Sequence, residues 1–148
     1  MHKEKTIDQI LRETWMAISK YYNTVAATYG GSMTTGFTLL NIDPVEGTPA
    51  TKLPLKMGME MTSLTRTLNK MEEQGLIKRV RNPMDARSVL IKLTGKGLEM
   101  RNKAKETVLG LNKRIEERIG PDKLNCFKEV MFEILELVQR KSITNQTK

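Results

Sequence analysis

The side chains that carry most catalytic and metal chemistry are almost missing from this sequence, which holds one cysteine, Cys126, and one histidine, His2. A structural zinc site takes four Cys or His ligands, so one chain cannot assemble it. A lone thiol excludes an internal disulfide, and any triad would depend on His2, in a terminus expected to fray. The inventory argues against an enzyme and calls for no catalytic residue, metal or cofactor. What is left is the chemistry of cations, hydroxyls and amides. It gathers in two stretches: Thr62, Ser63, Thr65, Arg66, Asn69 and Lys70, then Lys78, Arg79, Arg81, Asp85 and Arg87.

Groups of this kind read the edges of double-stranded DNA. Arginine pairs with guanine, asparagine with adenine, and threonine methyls touch thymine. Hydroxyls and helix N-termini hold phosphates. At about 100° per residue, Leu64, Leu68 and Met71 share one helix face. Thr62, Arg66 and Asn69 lie almost opposite, flanked by Thr65 on one side and by Ser63 and Lys70 on the other. The apolar face packs inward, and the polar face suits a major groove. Glu72 and Glu73 would repel phosphate, so the N-terminal half of the helix should enter. In the second stretch, an arginine on a thin loop can enter a minor groove, where narrow A·T-rich DNA concentrates negative potential. Asp85 is expected to accept a hydrogen bond from Arg87 and hold its fork. The net charge of +8, from 25 Lys and Arg against 17 Asp and Glu, favours a polyanionic partner.

The elements that must position these groups can be read around them. Thr6 and Gln9 form a capping box for a first helix with apolar residues at Ile10, Leu11, Ile18, Tyr22 and Val25, closed by Gly30-Gly31. A short helix follows over 35–41 and stops before Pro44. Thr48 and Pro49 read as cap and first residue of another helix, in which Pro54 is awkward and predicts a bend. After Gly58 comes the polar-faced helix over 61–73, closed by Gly75. Two strand-like runs, 76–81 and 88–93, flank the polar turn that carries Asp85 and Arg87. Helix, turn, helix and hairpin in this order make a winged helix-turn-helix. A long helix to about residue 119 is capped by Thr94, although Gly95 and Gly97 weaken its first turn. Gly120-Pro121 resets the chain into a last helix with Leu124, Phe127, Met131, Ile134, Leu135 and Val138 on one stripe. The fold class is mainly α with a small β-hairpin wing (α+β). Residues 1–148 form a single domain, with a winged lobe at 33–95, flanking helices at 1–30 and 96–141, and a polar, disordered tail at 142–148.

Particular runs of residues carry a family resemblance. The segments Ser63-Leu64-Thr65-Arg66-Thr67-Leu68 and Met71-Glu72-Glu73-Gln74-Gly75-Leu76-Ile77-Lys78-Arg79 resemble the recognition helix and wing entry of the MarR (multiple antibiotic resistance regulator) family. Asp85-Ala86-Arg87-Ser88 and Ile91-Lys92-Leu93-Thr94-Gly95-Lys96-Gly97 resemble its wing tip, second strand and Leu-Thr-x-x-Gly helix start. The detailed match covers about 40 residues. It implies a ligand-responsive, sequence-specific repressor in the bacterial cytoplasm, on the nucleoid, released by small anionic aromatic or lipophilic effectors or by cysteine oxidation. It also implies a homodimer interlocked through its first and last two helices. Asp85 and Arg87 match the family's wing Asp-x-Arg, and Thr62, Ser63, Thr65 and Arg66 its groove-facing positions. Ala86 departs from the pattern, standing where a second arginine is common.

Pairing has a separate argument from the residues. The stripes containing Ile7, Ile10 and Leu11, and Leu124, Phe127, Met131, Leu135 and Val138, are long for one small domain to cover. Two-fold pairing would place half-sites about 34–36 Å apart on a pseudopalindromic operator. Trp15, Met16, Tyr22, Met33 and Phe37 are candidates for an effector pocket against ordinary core packing. Cys126, beside Lys123 and Lys128, is a redox candidate, but its place in the apolar stripe favours an inert core residue. The family's peroxide sensors carry the reactive cysteine in the first helix, where this sequence has none. No apolar run is long enough to span a membrane, and the start lacks a signal-peptide pattern. A winged-helix protein-interaction module is the alternative reading, but the polar face lacks hot-spot aromatics. A nonspecific nucleic-acid binder would need stacking aromatics or a broad basic field.

Overall fold

The computed structural model describes residues 4–146; His2 and the end of the expected tail, 147–148, lie outside the described residues. The chain divides into two compact units, Met1–Val108 and Leu109–Lys148, and the boundary falls inside a helix.

The first unit opens with α1 (Ile7–Ala27), where the Thr6–Gln9 capping box forms as the sequence predicts. α2 (Met33–Leu40) starts two residues earlier than expected, because Ser32 caps it by accepting from the Thr35 amide. Thr48 and Pro49 do not begin a helix. They form a two-residue strand, β1 (Thr48–Pro49), and the Thr48 hydroxyl accepts from the Asp43 amide instead of capping. A 3-10 turn at Ala50–Lys52 leads into α3 (Leu53–Met57). Pro54 therefore lies in the first turn of α3, not inside a longer helix. Its missing N–H would have had no helical partner there, so the predicted bend does not arise. Gly58, in the left-handed region at φ 60°, closes α3 and turns the chain into α4 (Met61–Glu73).

β2 (Ile77–Arg81) and β3 (Val89–Leu93) form the antiparallel wing hairpin, in register Ile77↔Leu93 through Arg81↔Val89. The sheet has three strands rather than two, in the order β1-β3-β2, since Thr48 and Pro49 pair with Ile91 and Leu90. Leu90, paired with Pro49, is buried.

The core fills the angle between the helix-turn-helix and the sheet. Leu39, Ile42, Leu53, Leu64, Leu68, Met71, Leu76, Ile77 and Ile91 pack together with at most 2% exposure. Each such side chain contributes about 1.5–3 kcal/mol on burial. α4 is thereby fixed by its apolar face, and its opposite face is free for function.

α5 (Gly95–Ile119) starts in the first unit and ends in the second. Its start is built around Thr94, whose hydroxyl accepts from the Gly97 amide and also bridges to the Gly75 and Leu76 carbonyls. A Cβ on Gly97 would lie 1.9 Å from the Leu76 oxygen. The glycine expected to weaken this turn is what lets the helix pass the strand. Further along, Arg101 Nε donates to the Leu39 carbonyl, tying α5 to the end of α2.

In the second unit α6 (Pro121–Gln146) continues into the stretch expected to be a disordered tail. Phe127, Leu135 and Val138 of its expected stripe are exposed in the single chain, while Leu124 and Met131 are half-buried. Val130, Phe132 and Leu137 are exposed as well, so the apolar surface of α6 is wider than one stripe. Cys126, read as an inert core residue, is exposed. No helix among the described residues is long and apolar enough to cross a membrane.

Candidate nucleic-acid interface

α4 places the predicted residues as its sequence requires. Leu64, Leu68 and Met71 are buried, while Thr62, Ser63, Thr65, Arg66, Asn69 and Lys70 are all exposed on the other side. The helix N-terminus has no side-chain cap, because Glu60 at the N-cap makes no such bond. Its first amides are open to an anion. The hydroxyls of Thr65 and Thr67 fold back on the carbonyls of Met61 and Ser63.

Arg66, Lys70, Arg81 and Arg87 make no ion pair among the described residues. Their charges are uncommitted and face solvent, as a polyanion requires. Arg79 behaves differently. Its Nη1 donates to Glu72 Oε1 at 3.0 Å, its backbone N–H to Glu72 Oε2 at 3.2 Å, and its Nη2 to Asn69 Oδ1 at 2.8 Å. The guanidinium expected to face a nucleic acid is instead turned onto α4. Glu72, expected only to repel phosphate, is its counter-ion. Since β2 is an edge strand, the Glu72 carboxylate also satisfies an amide that has no neighbouring strand. The signal was present in the sequence as an acid near the helix end and a basic residue soon after, but the pairing depends on the turn between them.

The wing tip is ordered by its own polar groups. Asn82 Oδ1 accepts from the Met84 amide, and Asn82 Nδ2 donates to the Ser88 hydroxyl at 2.8 Å. Asp85 Oδ1 accepts from the backbone amide of Arg87 at 3.0 Å, not from the guanidinium as expected. Asp85 therefore shapes the turn and leaves the Arg87 fork unengaged. Met84, beside them at the tip, is 91% exposed and was not singled out from sequence.

At the other end of the lobe, Asp43 accepts from the amides of Glu46 and Val45. Those bonds hold its carboxyl below the usual carboxylate range, aided by Arg101 and Lys56. The turn delivers Thr48 to the sheet.

The aromatic candidates cluster, but not around one cavity. Phe37 meets Tyr22 edge-on at 5.7 Å and Trp15 at 6.5 Å. Tyr22, Met33 and Phe37 line a space of only about 20 Å³ against Ala104 and Val108. Burial raises the Tyr22 phenol, with neighbouring Tyr21 adding to the shift. On the other side of Phe37, Trp15, Met33, Asn41, Lys56, Met57 and Met59 line a groove of about 380 Å³. Four of the five candidates thus divide between two spaces, shared by Met33 and Phe37. Lys56 and Met57, at the end of α3, and Met59, in the turn before α4, were missed because folding alone brings them beside Trp15 and Phe37. Met16 is exposed. Among the described residues, no group of three or more His, Cys, Asp or Glu could hold a metal ion.

Comparison with known proteins agrees with this geometry. The MarR family model matches residues 32–89, from the cap of α2 to the start of β3. A curated relative, the organic hydroperoxide resistance transcriptional regulator of Bacillus subtilis (strain 168), is 37% identical over 94 residues. That alignment spans 62% of this chain and 60% of the relative's own length. Among solved structures, the reduced form of MarR from E. coli superposes with a TM-score of 0.75 at 18% identity, covering 90% of this chain and 99% of that one. MepR of S. aureus, solved as a DNA complex, gives 0.83 at 15% identity, covering 90% and 98%. A mutant E. coli MarR with operator DNA gives 0.77 at 18%, covering 87% and 93%. At these identities the superpositions speak for the fold, and the sequence matches speak for the family. Residues 32–89 match the MarR family domain, and the chain has the fold of the solved MarR-family structures.

Proposed function

We propose that this chain is a sequence-specific DNA-binding transcription regulator that represses as a homodimer and responds to a small ligand. The observation that carries the proposal is the pairing of an exposed polar and basic face on α4 with uncommitted arginines on an ordered wing. In this reading Thr62, Ser63, Thr65, Arg66, Asn69 and Lys70 meet a major groove. Arg87 enters the adjacent minor groove, and Arg81 contacts phosphate. Arg79 serves by holding α4 to the wing, and Asp85 by shaping the tip.

Dimerisation is supported by apolar surface left uncovered in the single chain. Ile7 and Ile10 on α1 are exposed, as are Phe127, Leu135 and Val138 on α6. Faces of this extent call for a partner, and a second copy supplies matching ones.

The groove beside Phe37 fits a small anionic aromatic or lipophilic effector. Its volume lies within the range of ligand sites, and its mainly apolar lining carries the polar side chains of Thr34 and Asn41 and one cation, Lys56. Met57 and Met59 flank the Gly58 turn, so an occupant would bear directly on the entry to α4. Similarity to a hydroperoxide-resistance regulator does not bring peroxide sensing through a first-helix thiol, since the one cysteine is in α6.

A mobility-shift titration tests the reading. The chain should bind its own upstream DNA tightly, saturably and in a salt-sensitive way, two chains per site, and random duplex far more weakly. An aromatic carboxylate should release the specific complex, and Lys56→Met should blunt that release. Equal affinity for both duplexes would remove sequence-specific regulation.

A further inference from the structure

Asn69 makes the contact that is hardest to reconcile with its expected role. An asparagine reads adenine with both ends of its amide, accepting from N6 and donating to N7. Here Oδ1 accepts from Arg79 Nη2 at 2.8 Å. A guanidinium has five donors and no acceptor. The atom facing it must be the oxygen.

Arg79 cannot easily turn away. Glu72, one helical turn beyond Asn69, holds it at both Nη1 and the backbone amide. The arginine side chain is only 25% exposed. With the oxygen turned toward β2, Nδ2 is left as the outward atom, and it donates to no protein group among the described residues. Asn69 is exposed and shares the face of Thr62 and Arg66.

We infer that Arg79 is a positioning residue that makes Asn69 a donor-only reader, so that it selects guanine rather than adenine in the major groove. Guanine presents two adjacent acceptors there, N7 and O6, whereas adenine presents N7 beside the N6 donor, which needs the amide oxygen now held by Arg79. The chain thus reads with two donor groups in succession, Arg66 and Asn69. The inference rests on the DNA-binding reading above and adds a base preference to it.

The test is selection of bound duplexes from a randomised pool by the wild-type chain, Asn69→Asp and Arg79→Met. Asn69→Asp keeps an oxygen for Arg79 but replaces the outward donor with an acceptor. Wild type should enrich a two-fold motif with a guanine in each half-site, preferred over adenine by about five- to tenfold. Asn69→Asp should lose that preference and move the same base pair toward cytosine, whose N4 amino group donates. Arg79→Met releases the amide oxygen and should move the same base pair toward adenine, with the rest of the motif kept. A shared motif unchanged at every position in both variants would overturn the inference, as would an Asn69-dependent position that is adenine in the wild type. Absence of any enriched motif in the wild type would overturn the DNA-binding reading itself, and this inference with it.

Discussion

Replacing Gly97 by alanine isolates the contact by which the wing is joined to α5. The new Cβ would stand 1.9 Å from the Leu76 oxygen, 2.9 Å from its carbonyl carbon and 3.4 Å from its Cα. All three are backbone atoms, so no side chain can swing aside. Either the start of α5 or the Gly75–Ile77 backbone must retreat. That retreat strains the bond from the Thr94 amide to the Leu76 oxygen at 3.0 Å and the bond from the Gly97 amide to the Thr94 hydroxyl. Two weakened hydrogen bonds cost about 1 kcal/mol each, and overpacking adds about 1–3 kcal/mol. The helix preference of alanine over glycine returns about 1 kcal/mol. The net loss is about 2–4 kcal/mol, which for a chain of this size lowers Tm by roughly 4–16 °C. Gly95→Ala is the control, because nothing lies within 4 Å of a Cβ there. It should be neutral or raise stability by up to about 1 kcal/mol. Thermal unfolding followed by circular dichroism, with both variants at one protein concentration, decides the matter. If Gly97→Ala melts with Gly95→Ala, the close approach does not constrain the native chain and the reasoning fails.

Arg87→Ala should weaken operator binding, and the slope of log K against log salt should become shallower by about 0.9 for each phosphate contact withdrawn. Fluorescence anisotropy across a salt series measures it, and an unchanged slope would take Arg87 off the DNA. Asp43 ionises more readily in the folded chain than at its ordinary value of 3.8, because the Glu46 and Val45 amides bind the carboxylate. The stabilisation is therefore complete above 3.8 and is lost as pH falls through the lower folded value. Asp43→Ala should lower Tm at about pH 7 and converge with wild type below about pH 3; a gap that stays constant with pH would contradict the turn's charge-dependent role.

Much of the winged lobe was legible because its signals act within a few residues. The Thr6–Gln9 box and the face pattern of α4 need only local geometry, and the structure reproduces both. The polar groups of α4 are exposed for the same reason: once Leu64, Leu68 and Met71 are buried, helical periodicity leaves the others no alternative. The wing hairpin likewise followed from two apolar runs around a polar turn.

Other residues were settled only when distant parts of the chain met. Thr48 and Pro49 carry a helix-start signal, yet become a strand because Ile91 and Leu90 offer an unpaired edge. Gly97 reads as a weak point in a helix until the Leu76 carbonyl is found against it. Arg79 reads as one more cation for a phosphate until the Gly75 turn swings β2 back beside Glu72 and Asn69. The chain's own residues determined which chemistry was present, since side-chain type and helical phase are local properties. Tertiary structure decided which of those groups remain available, because a donor or acceptor can be claimed by any part of the chain that folding brings within bonding distance.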